Sequence, residues 1–212
     1  MSWESIKANS SVAMVGATKE IDLGSFGKHT VRVVNTSLDN CELQSQTACG
    51  YVLEFEDIIV KRKLSSSTKN TGGWPATELY TYLDTIYDAL PSALKPYVIK
   101  TTVVSGHGSG SSENYVTEDE MFLLSLKELG ISYNNDTANS ATATLDYYKE
   151  NTSSSYKIKK YNGTATAYWT RTAASNSENY FRTVLTSGNS NNQYATDTTV
   201  GVAPAFRISI GR

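Results

Sequence analysis

The residues with the clearest potential for chemistry in this chain are two cysteines and two histidines. Cys41 and Cys49 lie eight positions apart, and the imidazoles are His29 and His107. A structural zinc site normally has three or four thiolate or imidazole ligands, so this set predicts no zinc unless carboxylates complete it. We interpret the cysteines as two reduced residues in adjacent strands. A disulfide across the intervening loop is the alternative.

Neither histidine predicts a general base. His107 lies in the Gly/Ser-rich segment Ser105–Ser112, and a base carried by such a loop is poorly preorganised for proton transfer. His29 precedes an apparent strand. Both are therefore interpreted as solvated side chains.

Three consecutive carboxylates, Glu118, Asp119 and Glu120, follow Thr117. Paired carboxylates can act in acid/base catalysis or bind calcium. A threonine before an acidic run is also typical of a helix capping box, and we favour that interpretation. The sequence has no E-P-N or Q-P-D loop with a later W-N-D, a set of residues that can bind sugar by way of calcium. We therefore predict no metal, no cofactor and no enzymatic activity. Calcium-dependent sugar binding and a hydrolase are the alternatives that stay open.

A polar segment near the C-terminus carries the strongest indication of binding. Residues 162–199 are rich in Asn, Ser and Thr, and aromatic residues interrupt them. Tyrosines among small polar residues are typical of adaptable binding loops. We interpret Tyr180 and Tyr194 as exposed.

The other large side chains of the chain are interpreted as structural. Trp3, Trp74 and Trp169 are predicted to anchor the core. Arg171 is predicted to form a structural ion pair or to cap backbone carbonyls. Neither role involves a ligand.

The periodicity of apolar residues predicts the elements that position these side chains. We expect one clear amphipathic helix, with Pro75 in its first turn and Pro91 at its end. The other predicted elements are, in chain order, a short helix at Trp3–Ile6, a hairpin of Ile21–Leu23 with Thr30–Val34 turned at Gly24 and Gly27, a strand at Tyr51–Val60, a loop at Ser65–Gly73, a strand at Thr101–Val104, a strand or helix at Met121–Ser125 and a closing strand at Val200–Ile210.

Length and composition predict one domain over residues 1–212. The chain has a formal net charge of -2 and 39% hydrophobic residues. We divide it into a β-rich part (1–70), a helical and core part (71–130) and a polar ligand-binding part with the closing strand (160–212). No basic stripe is present, which argues against nucleic acid as the main ligand. Without an apolar run long enough to span a bilayer or a visible signal peptide, we expect a soluble protein made in the cytoplasm and not inserted into a membrane.

Seven blocks of the sequence occur in a recognisable order. They are Gly72-Gly73-Trp74, Leu79 with Leu83, Leu90-Pro91, Phe122-Leu123-Leu124-Ser125 with Glu128, Tyr168-Trp169-Thr170-Arg171-Thr172, Phe181 with Val184 and Gly188, and Gly201-Val202-Ala203-Pro204-Ala205-Phe206. This order resembles an uncharacterised domain family of Gram-positive gut bacteria and their phages. Two positions depart from the family pattern, because Tyr168 replaces a usual Trp and Ala203 replaces a usual Arg.

The resemblance implies an α+β, C-type-lectin-like fold with short antiparallel strands, one or two packed helices and long ordered loops. The formylglycine-generating enzyme and the variable proteins of diversity-generating retroelements are similar in architecture. The enzyme uses a late cysteine pair, and no cysteine follows Cys49. In the variable proteins, a reverse transcriptase rewrites adenines in codons near the C-terminus, and the altered side chains lie on an exposed ligand-binding face. The positions implied here, called the variable set below, are Asn176, Ser177, Asn179, Tyr180, Arg182, Asn189, Ser190, Asn191, Asn192, Tyr194, Asp197 and Thr198.

The function that the resemblance implies is non-catalytic binding by a retroelement-diversified variable protein. It would act as a phage receptor-binding or bacterial surface recognition module, an adhesin on the virion or the cell surface. The partner would be a surface protein or glycan of a host or neighbouring cell, with phage tail proteins as further partners and a homo-oligomer left open. The alternative is an invariant carbohydrate-binding or structural accessory domain of a phage or cell-surface assembly.

Overall fold

Two five-stranded β-sheets are the largest sheets of the described chain. The computed structural model describes residues 2–8 and 13–209. The α-helices in this part of the chain are α1 (Trp3–Ala8), α2 (Glu78–Asp88) and α3 (Asp146–Glu150). The strands are β1 (Thr18–Asp22), β2 (Lys28–Asn35), β3 (Val52–Phe55), β4 (Val60–Lys61), β5 (Val98–Ile99), β6 (Thr101–Ser105), β7 (Tyr115–Asp119), β8 (Lys160–Tyr161), β9 (Thr164–Ala165), β10 (Tyr168–Ala173), β11 (Tyr180–Val184), β12 (Ser190–Tyr194), β13 (Gly201–Val202) and β14 (Ala205–Ile208).

The sheets are mainly antiparallel. The first has the order β1-β2-β3-β14-β5 and the second the order β12-β11-β10-β13-β4, with β6-β7 and β8-β9 as separate hairpins. Among the described strands, β10 and β13 form the one parallel pair. A mixed fold built mostly from short strands, with few helices, agrees with the predicted α+β class.

Two predicted strands are each divided between the sheets. The run Tyr51–Val60 separates into β3 in the first sheet and β4 in the second. The closing run separates into β13 and β14 around Pro204, which has no N–H for a ladder. The predicted end of this strand, Ile210, lies outside the described residues. Both divisions occur because the chain passes from one sheet to the other at these points.

Helix α2 buries Leu79, Leu83 and Ile86, which belong to the main core cluster. It is shorter at its start than predicted. Pro75 lies in a separate 3-10 turn, Trp74–Ala76, and not in the first turn of the helix. Thr77 is extended, and its Oγ1 accepts a hydrogen bond from the Tyr80 N–H at 3.2 Å. This N-cap begins the helix after the proline rather than at it.

The three tryptophans lie in the core, as predicted. Trp3, Trp74 and Trp169 are 7%, 0% and 1% exposed. They belong to one hydrophobic cluster that extends along the chain as far as Ile208. The core therefore draws on the N-terminal helix, the segment before α2 and both sheets.

The capping box predicted at Thr117–Glu120 is wrong. Residues Tyr115–Asp119 form β7, which pairs with β6 in register Thr101↔Asp119 to Ser105↔Tyr115. Thr102 Oγ1 donates to Glu118 Oε1 at 2.5 Å across the hairpin. Pairing with β6 gives these backbone groups hydrogen-bond partners, whereas the first N–H groups of a helix have none within the helix. The strand pairing therefore overrides the capping signal of Thr117 and the acidic residues after it.

The segment that follows β7 is neither of the elements expected at Met121–Ser125. It is extended, and Phe122 forms an isolated bridge with Ala205. Phe122, Leu123 and Leu124 are nevertheless buried. The apolar run was therefore a correct indication of burial but not of regular structure.

The interpretation of the cysteines as reduced residues in adjacent strands is also wrong. Cys41 and Cys49 form a disulfide within the loop between β2 and β3. Asn35 Nδ2 donates to the carbonyl oxygens of Ala48 and Gly50, at 3.3 and 2.9 Å, and so holds the end of this loop against β2. The disulfide and Asn35 together fix a long connection that has no strand of its own.

Candidate functional site

The hairpin of β11 and β12 brings part of the variable set together at the edge of the second sheet. The strands pair in register Tyr180↔Tyr194, Arg182↔Asn192 and Val184↔Ser190. Side chains two apart on a strand lie on the same side of the sheet. Tyr180, Arg182, Ser190, Asn192 and Tyr194 therefore share one side of the hairpin, which we call the hairpin face.

The two tyrosines of the hairpin face contact each other directly. Their ring centroids are 4.7 Å apart with the planes tilted by 53°, and the hydroxyls are 3.1 Å apart in a hydrogen bond. The hydrogen bond with Tyr194 raises the pKa of Tyr180. Tyr194 is exposed, as predicted, whereas Tyr180, also predicted to be exposed, is half-buried. The pair presents an amphipathic surface with two hydroxyls.

Arg182 lies beside the tyrosines and organises the rest of the hairpin face. Its Nη1 donates to Asn192 Oδ1 at 2.5 Å and its Nη2 to Ser190 Oγ at 2.8 Å. Its guanidinium carbon lies 4.5 Å from the centroid of the Tyr133 ring. Burial lowers the pKa of Arg182. Its buried Nε has no hydrogen-bond partner among the described residues. Arg182 therefore adds side-chain hydrogen bonds to the backbone pairing of the two strands.

A buried ion pair supports β10, the strand next to the hairpin. Arg171 donates to Glu128 through Nη1 and Nη2, and also to the carbonyl oxygens of Leu123 and Val104 at 2.8 and 3.3 Å. Arg171 is 1% exposed and Glu128 is 0% exposed. The predicted structural role of Arg171 is confirmed, because it forms a buried ion pair and also caps backbone carbonyl oxygens.

Asn70 fixes the loop between β10 and β11. Its Nδ2 lies within hydrogen-bond distance of the carbonyl oxygens of Ala174, Tyr180 and Ser177, at 2.8, 3.0 and 3.1 Å, and its N–H donates to the Glu178 carbonyl oxygen. Asn70 is 1% exposed. One buried amide therefore sets the path of the backbone into Tyr180.

Replacing Asn70 by alanine is expected to lower the free energy of unfolding by about 2–3 kcal/mol, because buried carbonyl oxygens lose their donor. The Ala174 N–H, which donates to the Tyr180 carbonyl oxygen, should exchange faster with deuterium. Urea unfolding and hydrogen exchange measure the two effects. Asn176→Ala, in the same loop but exposed, is the control and should change neither. Unchanged exchange at Ala174 in Asn70→Ala would contradict this role.

The remaining members of the variable set lie outside the hairpin face. The side chain of Asn191 belongs to the opposite side of β12, because it alternates with Ser190 and Asn192. Asp197 has a structural task, since its Oδ1 accepts from the N–H and Oγ1 of Thr199 at 2.7 and 2.6 Å. The other members lie in the turns and loops that flank the hairpin: Asn176, Ser177, Asn179, Asn189 and Thr198. Whether any of these positions varies stays a prediction.

Sequence patterns did not indicate two residues that the site requires. Tyr133 packs on Arg182, and its hydroxyl oxygen accepts a hydrogen bond from the Ser175 N–H at 3.1 Å. Tyr133 lies in a polar stretch without periodicity, so no local signal marks it. Asn70 precedes the glycine pair Gly72-Gly73, and that turn signal could have identified it as a loop residue with a bonding role.

The two histidines and the carboxylates Glu118, Asp119 and Glu120 are the other candidate groups from the sequence. His29 lies within β2, where its Nε2 is 2.8 Å from the Phe26 carbonyl oxygen. His107 lies in the loop between β6 and β7 and is half-buried. Burial raises the pKa of Asp119, whose Oδ1 accepts from the Tyr80 hydroxyl at 2.7 Å. In residues 2–8 and 13–209, no group of three or more His, Cys, Asp or Glu side chains could hold a metal ion.

Among the described helices, none has the length and apolar character needed to cross a bilayer.

Comparisons with curated proteins and with solved structures return no match. The model of one protein family, described as a domain of unknown function (DUF6273), matches residues 50–210. This range contains the hairpin face, the Arg171–Glu128 pair and Asn70. Because the match covers more than half of the chain, the protein belongs to the DUF6273 family.

Proposed function

We propose that this protein is a non-catalytic recognition module of C-type-lectin-like architecture. Its hairpin face, Tyr180, Arg182, Ser190, Asn192 and Tyr194, binds a surface protein or glycan of a host or neighbouring cell. The module is a retroelement-diversified variable protein that acts on a phage particle or a bacterial surface. Exchange of side chains on the hairpin face changes its specificity.

The observation that carries this proposal is the separation of the hairpin face from the groups that hold the fold. On the hairpin face, the side chains contact one another, solvent and, through Arg182, the ring of Tyr133. On the opposite side of β11, Phe181 is 1% exposed and belongs to the main core cluster. The backbone ladder of β11 and β12 does not depend on which side chains face outward. Exchange on the hairpin face therefore leaves the scaffold in place.

The chemistry of the hairpin face suits recognition of a polar surface. Tyr180 and Tyr194 supply contact area with few rotatable bonds, so little entropy is lost on binding. Asn192 and Ser190 supply hydrogen-bonding groups that rearrange around different partners. Arg182 supplies a positive charge that is already ordered by its neighbours.

The disulfide supports a location outside a reducing compartment. Bonds such as Cys41–Cys49 persist in secreted proteins and on virion or cell surfaces, and they are rare where glutathione keeps thiols reduced. A phage particle or a bacterial surface meets that condition. This support is independent of the hairpin face.

The proposal is tested by sequencing the gene across a large population of the source strain, with the flanking DNA. We expect substitutions at adenine positions in codons of the hairpin face, especially Tyr180, Asn192 and Tyr194. The codons of Phe181 and Arg171 serve as internal controls and should be constant. A near-identical template repeat and a reverse-transcriptase gene should lie nearby.

An invariant hairpin with no template nearby would remove retroelement diversification from the proposal. Variation spread evenly over Phe181, Arg171 and the hairpin face would also contradict it. Such a pattern would reflect ordinary drift, because buried scaffold positions and exposed hairpin-face positions would vary alike.

A further inference from the structure

A groove with polar and aromatic walls lies between the first sheet and the segment that begins at α3. Its volume is about 260 Å³, and the residues that matter for its chemistry are Arg32, Glu56, Asp57, Tyr147, Tyr156 and Lys160. This volume is slightly below the roughly 300 Å³ at which most small-molecule sites begin. The groove therefore fits a small ligand, and none of its residues belongs to the variable set.

Arg32 is the most deeply buried charged side chain of the groove. Its Nε and Nη2 donate to Glu54 Oε1 at 3.2 and 2.6 Å, and its Nη1 donates to Glu56 Oε1 at 3.3 Å. The guanidinium carbon lies 4.1 Å from the centroid of the Tyr147 ring. A guanidinium has more N–H donors than the three that these described partners use. The remaining donors are held in a fixed orientation before any ligand arrives.

Two aromatic rings line the same groove. Tyr147 and Tyr156 meet edge to face, with ring centroids 6.4 Å apart. Tyr156 is 48% exposed, a large value for an ordered aromatic side chain. An exposed ring beside hydrogen-bonding groups offers an apolar face and a polar edge to one ligand. A sugar ring has the same division, with C–H groups on its faces and hydroxyls around its edge.

The charges of the groove balance. Arg32 and Lys160 are cationic, and Glu56 and Asp57 are anionic. Asp57 Oδ1 accepts a hydrogen bond from the Lys160 N–H at 2.8 Å, which places the two residues side by side. A site for phosphate or a carboxylate would have an excess of positive charge. This balance favours an uncharged ligand with many hydroxyl groups.

We propose that the groove formed by Arg32, Glu56, Tyr147 and Tyr156 binds a neutral saccharide. Glu56 accepts hydrogen bonds from ligand hydroxyls, and Arg32 donates to ligand oxygens. The ring of Tyr156 packs on the C–H face of the sugar. This site is separate from the hairpin face and does not depend on its variation.

Titration with a panel of uncharged sugars tests this assignment. The probes are the methyl glycosides of glucose, galactose and mannose together with N-acetylglucosamine, and the measurement is NMR of the backbone amides and the Arg32 Nε–H. At least one sugar should shift the signals of Arg32, Glu56 and Tyr156. Tyr156→Ala should weaken that binding about tenfold, because the packing ring is lost. Glu56→Gln keeps the shape of the side chain and should also weaken it.

Val116→Ala is the matched control, because it trims an exposed apolar side chain on β7, outside both the groove and the hairpin face. It should bind the sugar as the unmodified protein does. Absence of any sugar-induced shift in the groove would overturn the assignment, as would shifts that occur with inorganic phosphate alone. Unchanged affinity in both Tyr156→Ala and Glu56→Gln would do the same. Thermal melting of each variant separates a loss of binding from a loss of fold.

Discussion

Replacing Glu128 by glutamine is expected to lower the free energy of unfolding by about 3–5 kcal/mol, because a buried Arg171 guanidinium loses its counter-charge. The exposed fractions of the two side chains are 1% for Arg171 and 0% for Glu128. Glu128 accepts two hydrogen bonds from Arg171, one from Nη1 to Oε2 at 2.5 Å and one from Nη2 to Oε1 at 2.6 Å. This two-point contact is the strongest geometry that an arginine and a carboxylate can form.

Replacing both Glu128 and Arg171 by apolar residues should not restore the free energy of unfolding. Glu128 also accepts hydrogen bonds from the Ser125 N–H at 2.9 Å, from Thr142 Oγ1 at 2.9 Å and from Thr47 Oγ1. These donors are buried and would lose their acceptor together with Arg171. The double variant Glu128→Leu with Arg171→Met is therefore expected to remain destabilised, unlike ion pairs without further partners.

Urea unfolding of Glu128→Gln, Arg171→Met and the double variant measures this effect. Glu178→Gln is the control, since Glu178 pairs with Lys69 at the surface and its side chain is 50% exposed. Exposed pairs contribute about 0–1 kcal/mol, so the control should unfold close to the unmodified protein. A loss in Glu128→Gln as small as that of the control would show that the pair does not support β10.

Local patterns predicted those features whose cause lies within a few residues. The hairpin of β1 and β2 follows from alternating apolar residues and from Gly24 and Gly27, both of which have positive φ. The stripe of Leu79 and Leu83 predicted α2 because a helix repeats every three to four residues. The prediction that Arg171, close to Trp169 in an ordered block, forms a structural ion pair or caps backbone carbonyls is confirmed.

Features that depend on distant partners could not be predicted in this way. The strand at Tyr115–Asp119 exists because β6 pairs with it, and nothing within the run itself separates that outcome from a helix cap. Asn70 lies 104 positions from Ala174, which accepts its hydrogen bond. The hairpin face was predicted only as a stretch of sequence. The strand register decides which members, such as Tyr180 and Tyr194, actually meet.

Replacing Glu54 by glutamine is expected to lower the free energy of unfolding by at least about 3–5 kcal/mol, because two buried cations then lose one shared counter-charge. Glu54 lies on β3 and is fully buried. Its Oε1 accepts from Arg32 Nη2 at 2.6 Å and its Oε2 from Lys159 Nζ at 2.9 Å. The Tyr148 hydroxyl lies within 3.0 Å of both oxygens. The loss should affect the first sheet and the groove above it, since Arg32 belongs to both.

The pKa of Glu54 predicts how the free energy of unfolding depends on pH. Burial alone would raise the pKa of Glu54, but Lys159 and Arg32 hold it below its ordinary value of 4.5. A carboxyl whose pKa is lower in the folded state stabilises the fold above its unfolded pKa. That contribution is lost as the pH falls through the folded pKa. The free energy of unfolding should therefore decrease below about pH 4.5, and this decrease should be smaller in Glu54→Gln.

Urea unfolding at neutral and acidic pH tests both parts of this prediction. Glu20→Gln is the matched control, because Glu20 pairs with Lys28 at the edge of the same sheet with its side chain 63% exposed. It should be nearly as stable as the unmodified protein and keep the full decrease at acidic pH. If Glu54→Gln is destabilised at neutral pH but keeps the same acid dependence, the decrease comes from another buried carboxyl. Glu128 is one such carboxyl, because Arg171 lowers its pKa against the opposing effect of burial.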